Sequence, residues 1–333
     1  MKAIIVKDSA GFSSLTTIDK SDPEVAAGHV LVSWHATSLN YHDYLVANGS
    51  IPVEAGRIPM SDGAGEVVGV GDGVETWKIG DRVMSLFFPN WLGGRPTPAA
   101  TRDISGESVD GYLCENSVVK ATALTRIPDG YSYAEAATLP CAAVTAWRGL
   151  MVEGKLKPGQ SVLVEGTGGV SIFALQLALA AGGKVYATTS SPAKAKRLEE
   201  MGVELVINYR EDERWGRTIY KAAGKGVNHV IDVGGGTTFR HSVDAAAMDG
   251  HIASIGILSG RSGDIVFPKL FFKHLRISGL AVGNRKMQED LVEFIDAQKI
   301  KPVISKRFAF SEIIDAFRYQ ETGSHFGKIV VEW

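Results

Sequence analysis

The stretch Ser161–Ala178, SVLVEGTGGVSIFALQLA, constrains the fold more than any other part of the chain. Ser161–Glu165 is a β-branched run of the kind that forms a buried strand. Gly166-Thr167-Gly168-Gly169 is a turn that glycines make at low steric cost. Ile172, Leu175, Gln176 and Leu179 then recur at helical spacing. Strand, glycine turn and helix is the local plan of a dinucleotide site. Backbone N–H groups of such a turn approach a pyrophosphate, and the helix N-terminus adds partial positive charge. Tight strand-to-helix turns also occur without ligand, so the flanking strand and helix carry the reading. Gly166, Gly168, Gly169 and Val170 are the candidate cofactor contacts. Ser171 stands at the usual third glycine and is small enough for close helix–strand packing.

A length of 333 residues favours two domains. Hydrophobic residues make up 45% and the net charge is −2, with no basic block, which argues against nucleic acid as a partner. Cys114 and Cys141 form no CxxC pair, which suits a reducing cytoplasm. MKAIIVKD becomes charged too early for a signal peptide, and no apolar run reaches transmembrane length. A cytoplasmic protein is expected, with no membrane or nucleic-acid partner.

Residues 1 to about 124 read as short strands with glycine turns, a small barrel-like β domain. The strands are Lys2–Lys7, His29–His35, Gly65–Val70, Lys78–Val83 and Val118–Lys120, with Gly71-Asp72-Gly73 as a hairpin turn. Phe87–Asp110, with Pro89, Pro96, Pro98 and exposed-looking Phe87, Phe88 and Trp91, is a long irregular loop. It reads either as a surface excursion or as a wall or lid of a substrate cleft.

From about 125 strands and helices alternate, which implies a parallel sheet. A helix over Tyr133–Val152, interrupted by Pro140, comes first. Six strands follow: Ser161–Glu165, Lys184–Thr188, Glu204–Asn208, His229–Val233, His251–Ile255 and Arg276–Val282. The helices between them are expected at Pro192–Met201, Trp215–Ala223 and Phe239–Ala247. Gly234, Gly256, Ile257 and Leu258 follow strand ends, where open parallel sheets bind ligands. A helix over Met287–Gln298, a strand over Pro302–Phe308, a helix over Glu312–Tyr319 and a strand over Lys328–Glu332 complete the chain.

NAD sites usually place an acid about 20 residues beyond the first glycines, on the ribose 2′-hydroxyl. Tyr186–Ser191 contains none. Ser190 and Ser191 offer hydroxyls, Lys194 lies on the next helix, and Arg210 follows the third strand beside Tyr209. Lys194 and Arg210 would serve equally as solvated surface charges. The missing acid favours NADP(H) over NAD.

Several motifs together resemble the medium-chain dehydrogenase/reductase superfamily, and within it the zinc-lacking, quinone-oxidoreductase-like branch. They are Asn40-Tyr41-His42-Asp43, Ser61–Val67, Gly80–Val83, Leu139–Ala146, the Gly166–Val170 turn, Gly256–Gly260 and Phe326-Gly327-Lys328. The resemblance implies an α/β fold: a GroES-like β-barrel catalytic domain plus a Rossmann doubly wound parallel-sheet domain. Its boundaries would be 1–124, 125–285 and a return at 286–333.

Positions that hold a catalytic zinc in relatives fall on Asn40, on Ser61 beside Asp62, and on Cys141. An amide and a hydroxyl are poor zinc ligands, so no metal is expected. Cys141 would be a small buried residue. Asn40 and Tyr41 become candidate donors to an oxygen that gains charge during hydride transfer, with His42 and Tyr44 as proton donors. Core packing would account for these aromatics equally well, and Asp43 reads as a brace. The resemblance places Thr145, Val282 and Asn284 near nicotinamide, and lets Phe326 and Lys328 contact the cofactor. It also implies a homodimer through the edge strand 276–282.

The leading expectation is an NADPH-dependent reductase of a quinone, enone or related activated carbonyl. A zinc-dependent alcohol dehydrogenase and a non-catalytic NADPH-binding protein are the alternatives.

Overall fold

The structure is a computed structural model that describes residues 1–7 and 11–333. The strands in chain order are β1 (Lys2–Val6), β2 (Leu15–Asp19), β3 (His29–Ser38), β4 (Ala64–Val70), β5 (Arg82–Ser85), β6 (Asn116–Lys120) and β7 (Leu124–Arg126). Next come β8 (Ser161–Glu165), β9 (Lys184–Thr189), β10 (Leu205–Asn208), β11 (Val227–Asp232), β12 (Ala246–Ser254) and β13 (Arg276–Gly279). β14 (Ile304–Ala309) and β15 (Lys328–Glu332) end the series. Two compact units result, one of residues 1–144 with 282–333, the other of residues 145–281.

The first unit is built on a seven-stranded sheet whose path runs β14-β15-β3-β4-β5-β7, with β6 also paired to β3. β3 anchors it. Its burial alternates along the strand, as a half-buried antiparallel strand requires. Val30, Val32 and Trp34 point inward and join one core with Val67, Leu113 and Phe317. The Trp34 ring packs 4.6 Å from Tyr112, and its N–H donates to Ser117 Oγ at 2.7 Å, so the indole is buried without an orphan donor. The return of the chain end is a sheet pairing: Val330, Val331 and Glu332 pair with Ser38, Thr37 and Ala36.

The second unit carries a six-stranded parallel sheet in the order β10-β9-β8-β11-β12-β13. Numbered within the sheet this is 3-2-1-4-5-6, the doubly wound order, with its topological switch between β8 and β11. β8 lies mid-sheet, so Val162, Leu163 and Val164 are fully buried and a continuous apolar run is needed there. The helix Gly169–Ala180 buries seven of its twelve residues, more than the single stripe at 172, 175, 176 and 179 would cover.

Several expectations are corrected. Gly71-Asp72-Gly73 is not a tight hairpin between β4 and β5. Gly28 N–H donates to Asp72 O and Gly71 N–H to His29 O, so residues 71–73 fold against the start of β3. Phe87, Phe88 and Trp91 are buried rather than exposed, through the ring contacts Phe87–Phe88 (4.8 Å) and Phe88–Trp91 (6.0 Å). The loop is also tied down by Arg285 N–H on Trp91 O and Lys286 N–H on Leu92 O. Between Tyr133 and Glu153 the helix does more than break at Pro140: wide π-type turns run over Leu139–Ala143 and Arg148–Glu153. The helix Phe267–Phe272 has no counterpart in the expected elements.

The unit boundaries also differ from 124/125 and 285/286. β7 pairs with β5, and the Tyr133 ring stacks 4.4 Å from His35, which keeps 125–144 with the first unit. Asn284 caps the helix Arg285–Gln298, and Gln288 of that helix donates to Ser85 O and Thr125 Oγ1. Residues 282–285 therefore pack with the first unit as well. Among the described residues no helix is long and apolar enough to cross a membrane.

Candidate functional site

The segment after β3 concentrates buried polar groups of the first unit. Asn40 precedes the helix Tyr41–Ala47, and Asp43 braces its start. Asp43 Oδ2 accepts from Asn40 N at 2.9 Å and Oδ1 accepts from Ser61 N at 2.8 Å, which ties residue 61 to the helix start. Lys328, at the head of β15, is 3% exposed. Its ammonium donates to Leu39 O at 2.7 Å and to Asn40 Oδ1 at 2.5 Å, and stands 3.6 Å from Asp62 Oδ2. With Oδ1 held by the cation, the Asn40 amide has one orientation. Its Nδ2 donates to Ser61 Oγ at 3.1 Å and to Asp62 Oδ2 at 2.8 Å.

Asp62 also accepts from Ser38 Oγ at 2.8 Å, while its Oδ1 has no partner. Burial pushes this carboxyl up to about 6, against the pull of Lys328 and with the help of the Asp43 charge. His42 Nε2 donates to Glu107 Oε2 at 2.7 Å, and Nδ1 lies 3.6 Å from Asp43 Oδ1, an ion-pair rather than a hydrogen-bond distance. Burial alone would lower the imidazole pKa. The Asp43 and Glu107 carboxylates outweigh it and hold the ring protonated up to about 9. Tyr44 donates to Glu321 Oε1 at 3.0 Å. Tyr41 stacks on Tyr44 at 5.8 Å and is 42% exposed. Among the described residues its hydroxyl has no hydrogen-bond partner.

Four sequence assignments change here. Asn40 cannot donate to a reacting oxygen in this arrangement, because both Nδ2 hydrogens are engaged. Lys328 is not a free cofactor contact, because it sits against Leu39, Asn40 and Asp62. Phe326 is 1% exposed and packs as a core residue. Cys141 is half-buried rather than buried.

The positions that align with zinc ligands do not fit the ion. Asn40 Oδ1, the amide's only good metal donor, already accepts from an ammonium, and that ammonium would repel a dication. Ser61 presents a hydroxyl, and one thiol remains. Among the described residues no group of three or more His, Cys, Asp or Glu could hold a metal.

In the second unit the residues fit a dinucleotide. Gly166 has φ +72°, which a side chain would strain, and the turn leads into a twelve-residue helix at Gly169. Ser171 Oγ donates to Glu165 O at 2.6 Å, so the serine closes the helix onto the strand. A Cβ on Gly256 would lie 2.1 Å from Val233 O, so only glycine lets these two strand ends approach. Gly234 is buried at the end of β11, while Ile257 and Leu258 are exposed after β12.

Ser190 and Ser191 follow β9 and are half-buried. Ser191 caps the helix Pro192–Glu200, with Oγ accepting from Lys194 N at 3.4 Å. The Lys194 ammonium is lowered by burial and by Arg197. Tyr209 and Arg210 are exposed beyond β10. Thr145 is buried. Val282 and Asn284 lie in the first unit, where the Asn284 amide is engaged as a cap and on Gly94 O.

Sequence reasoning overlooked Glu107 and Glu321, and it named Lys328 as a cofactor contact without its place on Asn40. Their partners are 65, 277 and 288 residues away, and no local pattern marks such pairs.

A protein of this build, with a largely antiparallel β unit and a doubly wound nucleotide-type unit, belongs to the dehydrogenase class of folds, and the comparisons agree. Residues 26–129 match the family model for the alcohol dehydrogenase GroES-like domain, and residues 169–297 match that for zinc-binding dehydrogenases. A zinc-type alcohol dehydrogenase-like protein of Schizosaccharomyces pombe is 39% identical over 100% of this chain and 99% of its own length. The crystal structure of a putative alcohol dehydrogenase from Sinorhizobium meliloti is similar at TM-score 0.93 and 35% identity, covering 100% of this chain and 99% of that one. A 2-octenoyl-CoA carboxylase reductase, solved in complex with NADP and 2-octenoyl-CoA, is similar at TM-score 0.88 and 26% identity, covering 99% and 87%. The chain belongs to the medium-chain dehydrogenase/reductase superfamily. It is an oxidoreductase of that family, with a GroES-like domain and a Rossmann-like parallel sheet.

Proposed function

We propose that this chain is an NADPH-dependent reductase of activated acceptors, namely quinones, enones and related conjugated carbonyl compounds, and that it works without catalytic zinc. The observation that carries this reading is the Lys328 ammonium on Asn40 Oδ1, which takes up the metal-facing atom of the first zinc position. NADPH binding is supported by the cradle at Gly166–Val170, by the acid-free end of β9, and by the NADP complex of the similar carboxylase reductase. An activated alkene as acceptor is supported by that protein's 2-octenoyl-CoA.

NADPH supplies the hydride. The N–H groups of the Gly166–Val170 turn would hold the pyrophosphate, and Ser190, Ser191, Lys194 and Arg210 the 2′-phosphate. Tyr41, rather than Asn40, offers a donor for the oxygen that gains charge on the acceptor. His42 carries a proton at neutral pH and orients on Glu107.

A homodimer through β13 is part of this reading. β13 is a sheet edge, Ile277 is 42% exposed, and Phe267, Phe271 and Phe272 are exposed in the helix before it. An open apolar edge is a pairing surface.

The test is NADPH and NADH oxidation across a panel of quinones, enones, enoyl thioesters and aldehydes, with metal content measured after dialysis. NADPH-linked turnover of conjugated acceptors with substoichiometric zinc supports the proposal. Stoichiometric zinc with chelator-sensitive alcohol oxidation refutes it, and so does NADPH binding without turnover of any acceptor.

A further inference from the structure

Two carboxyls flank the topological switch point of the parallel sheet. Glu165 ends β8 and Asp232 ends β11, and the two strands are neighbours. The residue after Glu165 is Gly166, and Gly234 and Gly235 follow Asp232 closely, so both acids lie under the turns assigned to the dinucleotide. Glu165 is 6% exposed and Asp232 fully buried. Ser242, on the helix Phe239–Ala245, stands between them. Its Oγ is 2.6 Å from Glu165 Oε1 and 2.8 Å from Asp232 Oδ2.

A hydroxyl has one hydrogen and can donate to only one carboxylate. The second contact is a hydrogen bond only if that carboxyl carries a hydrogen and donates it to Ser242 Oγ. Burial raises the Asp232 pKa too, but the Gly235 N–H donates to Asp232 Oδ1 at 2.7 Å, so of the two carboxyls Asp232 is the better placed to keep the charge. Glu165 Oε2 makes no hydrogen bond of good geometry; the nearby Gly234 N–H is shared with Asp232, too little for a buried anion and enough for a neutral acid.

No cation compensates the pair among the described residues. Its register neighbours are Thr188 on β9 and Ser254 on β12. On the helix that carries Ser242, Arg240 faces His241, His241 stacks on Trp215, and Asp244 pairs with Lys269 and Arg217.

We infer that Glu165 and Asp232 hold a single proton between them, relayed through Ser242, and that retaining it is a condition of tight binding of the anionic dinucleotide. The inference rests on the NADPH assignment above. With Glu165 neutral, one negative charge lies beneath the pyrophosphate. Loss of the proton to solvent at alkaline pH would place a second one there. Burial and the Asp232 charge both raise the Glu165 pKa well above its ordinary value and so favour its neutral form. By reciprocity, binding the anion raises the proton affinity of the pair.

The experiment is titration of the full-length protein with NADPH from pH 7 to about 9.5, by nucleotide fluorescence and by calorimetry in two buffers of unlike ionisation enthalpy. The wild-type dissociation constant should rise about tenfold over that range, with net proton uptake on binding. Glu165→Gln keeps both hydrogen bonds, because its amide donates to Ser242 Oγ, and it should bind NADPH as wild type does at pH 7, with little rise and no uptake. Asp232→Asn, which leaves a single carboxyl, should also be flat above neutrality and covers the case in which Glu165→Gln fails to fold. Identical profiles and proton uptake in wild type and a folded variant overturn the inference while leaving NADPH binding intact. Absence of NADPH binding by wild type at every pH overturns the cofactor assignment instead.

Discussion

Replacing Lys328 by Met tests the buried charge group in a way that can be worked through. The ammonium lies 3.6 Å from Asp62 Oδ2. At an effective dielectric of about 20, two unit charges at that distance attract by about 5 kcal/mol. In the wild type the Asp62 carboxyl sits at about 6, above its ordinary 3.8. A folded-state value above the unfolded one favours folding fully below the unfolded value, and that benefit is lost as pH rises through the folded one. Wild type thus loses about 3 kcal/mol between pH ~4 and pH ~6 and nothing more from this group.

Without the ammonium, the one nearby charge that lowers Asp62 is gone, and the carboxyl stays protonated in the folded state past pH ~8. The loss then continues at about 1.4 kcal/mol per pH unit. Lys328→Met and wild type should therefore diverge by a further ~3 kcal/mol between pH 6 and pH 8, on top of a pH-independent loss from the hydrogen bonds to Leu39 and Asn40. Urea unfolding at pH 6, 7 and 8 measures this through the midpoints and slopes. A gap of equal size at pH 6 and pH 8 would refute the assignment of the ammonium to Asp62.

Lys194→Ala should raise KM for NADPH about tenfold or more and leave that for NADH nearly unchanged, read from initial rates with both nucleotides. Equal effects on the two would remove the 2′-phosphate role. His42 is raised from 6.5 to about 9, so its contribution is complete below pH 6.5 and disappears as pH rises through 9. His42→Gln should flatten the stability–pH curve between those limits, a change of up to ~3 kcal/mol by denaturant unfolding. Ile277→Lys places a charge on the exposed edge of β13 and should convert a dimer into a monomer in light scattering; an unchanged mass would move the interface elsewhere.

Legibility from the sequence followed the range of each interaction. The strand, glycine turn and helix at 161–180 are set by neighbours in the chain, and the structure places them within a residue or two of the sequence reading. Phe87, Phe88 and Trp91 were misjudged because prolines and glycines mark a loop but do not say what its aromatics pack on. The helix Phe267–Phe272 was missed because its aromatic run resembles strand and has no buried face to give it a period.

The sequence by itself determined that an amide and a hydroxyl replace two zinc-ligand types, and that no acid closes β9. Those are statements of residue identity and need no coordinates. Only the tertiary structure decided what stands beside them. It brought Lys328 onto Asn40 from 288 residues away, and so engaged the amide that composition alone would have left free for substrate. It set Ser242 between Glu165 and Asp232, joining strand ends that adjoin only through the 3-2-1-4-5-6 strand order. Side-chain chemistry is written locally, but the hydrogen-bond partners that fix protonation and orientation are supplied by non-local packing. Only the folded chain specifies that packing.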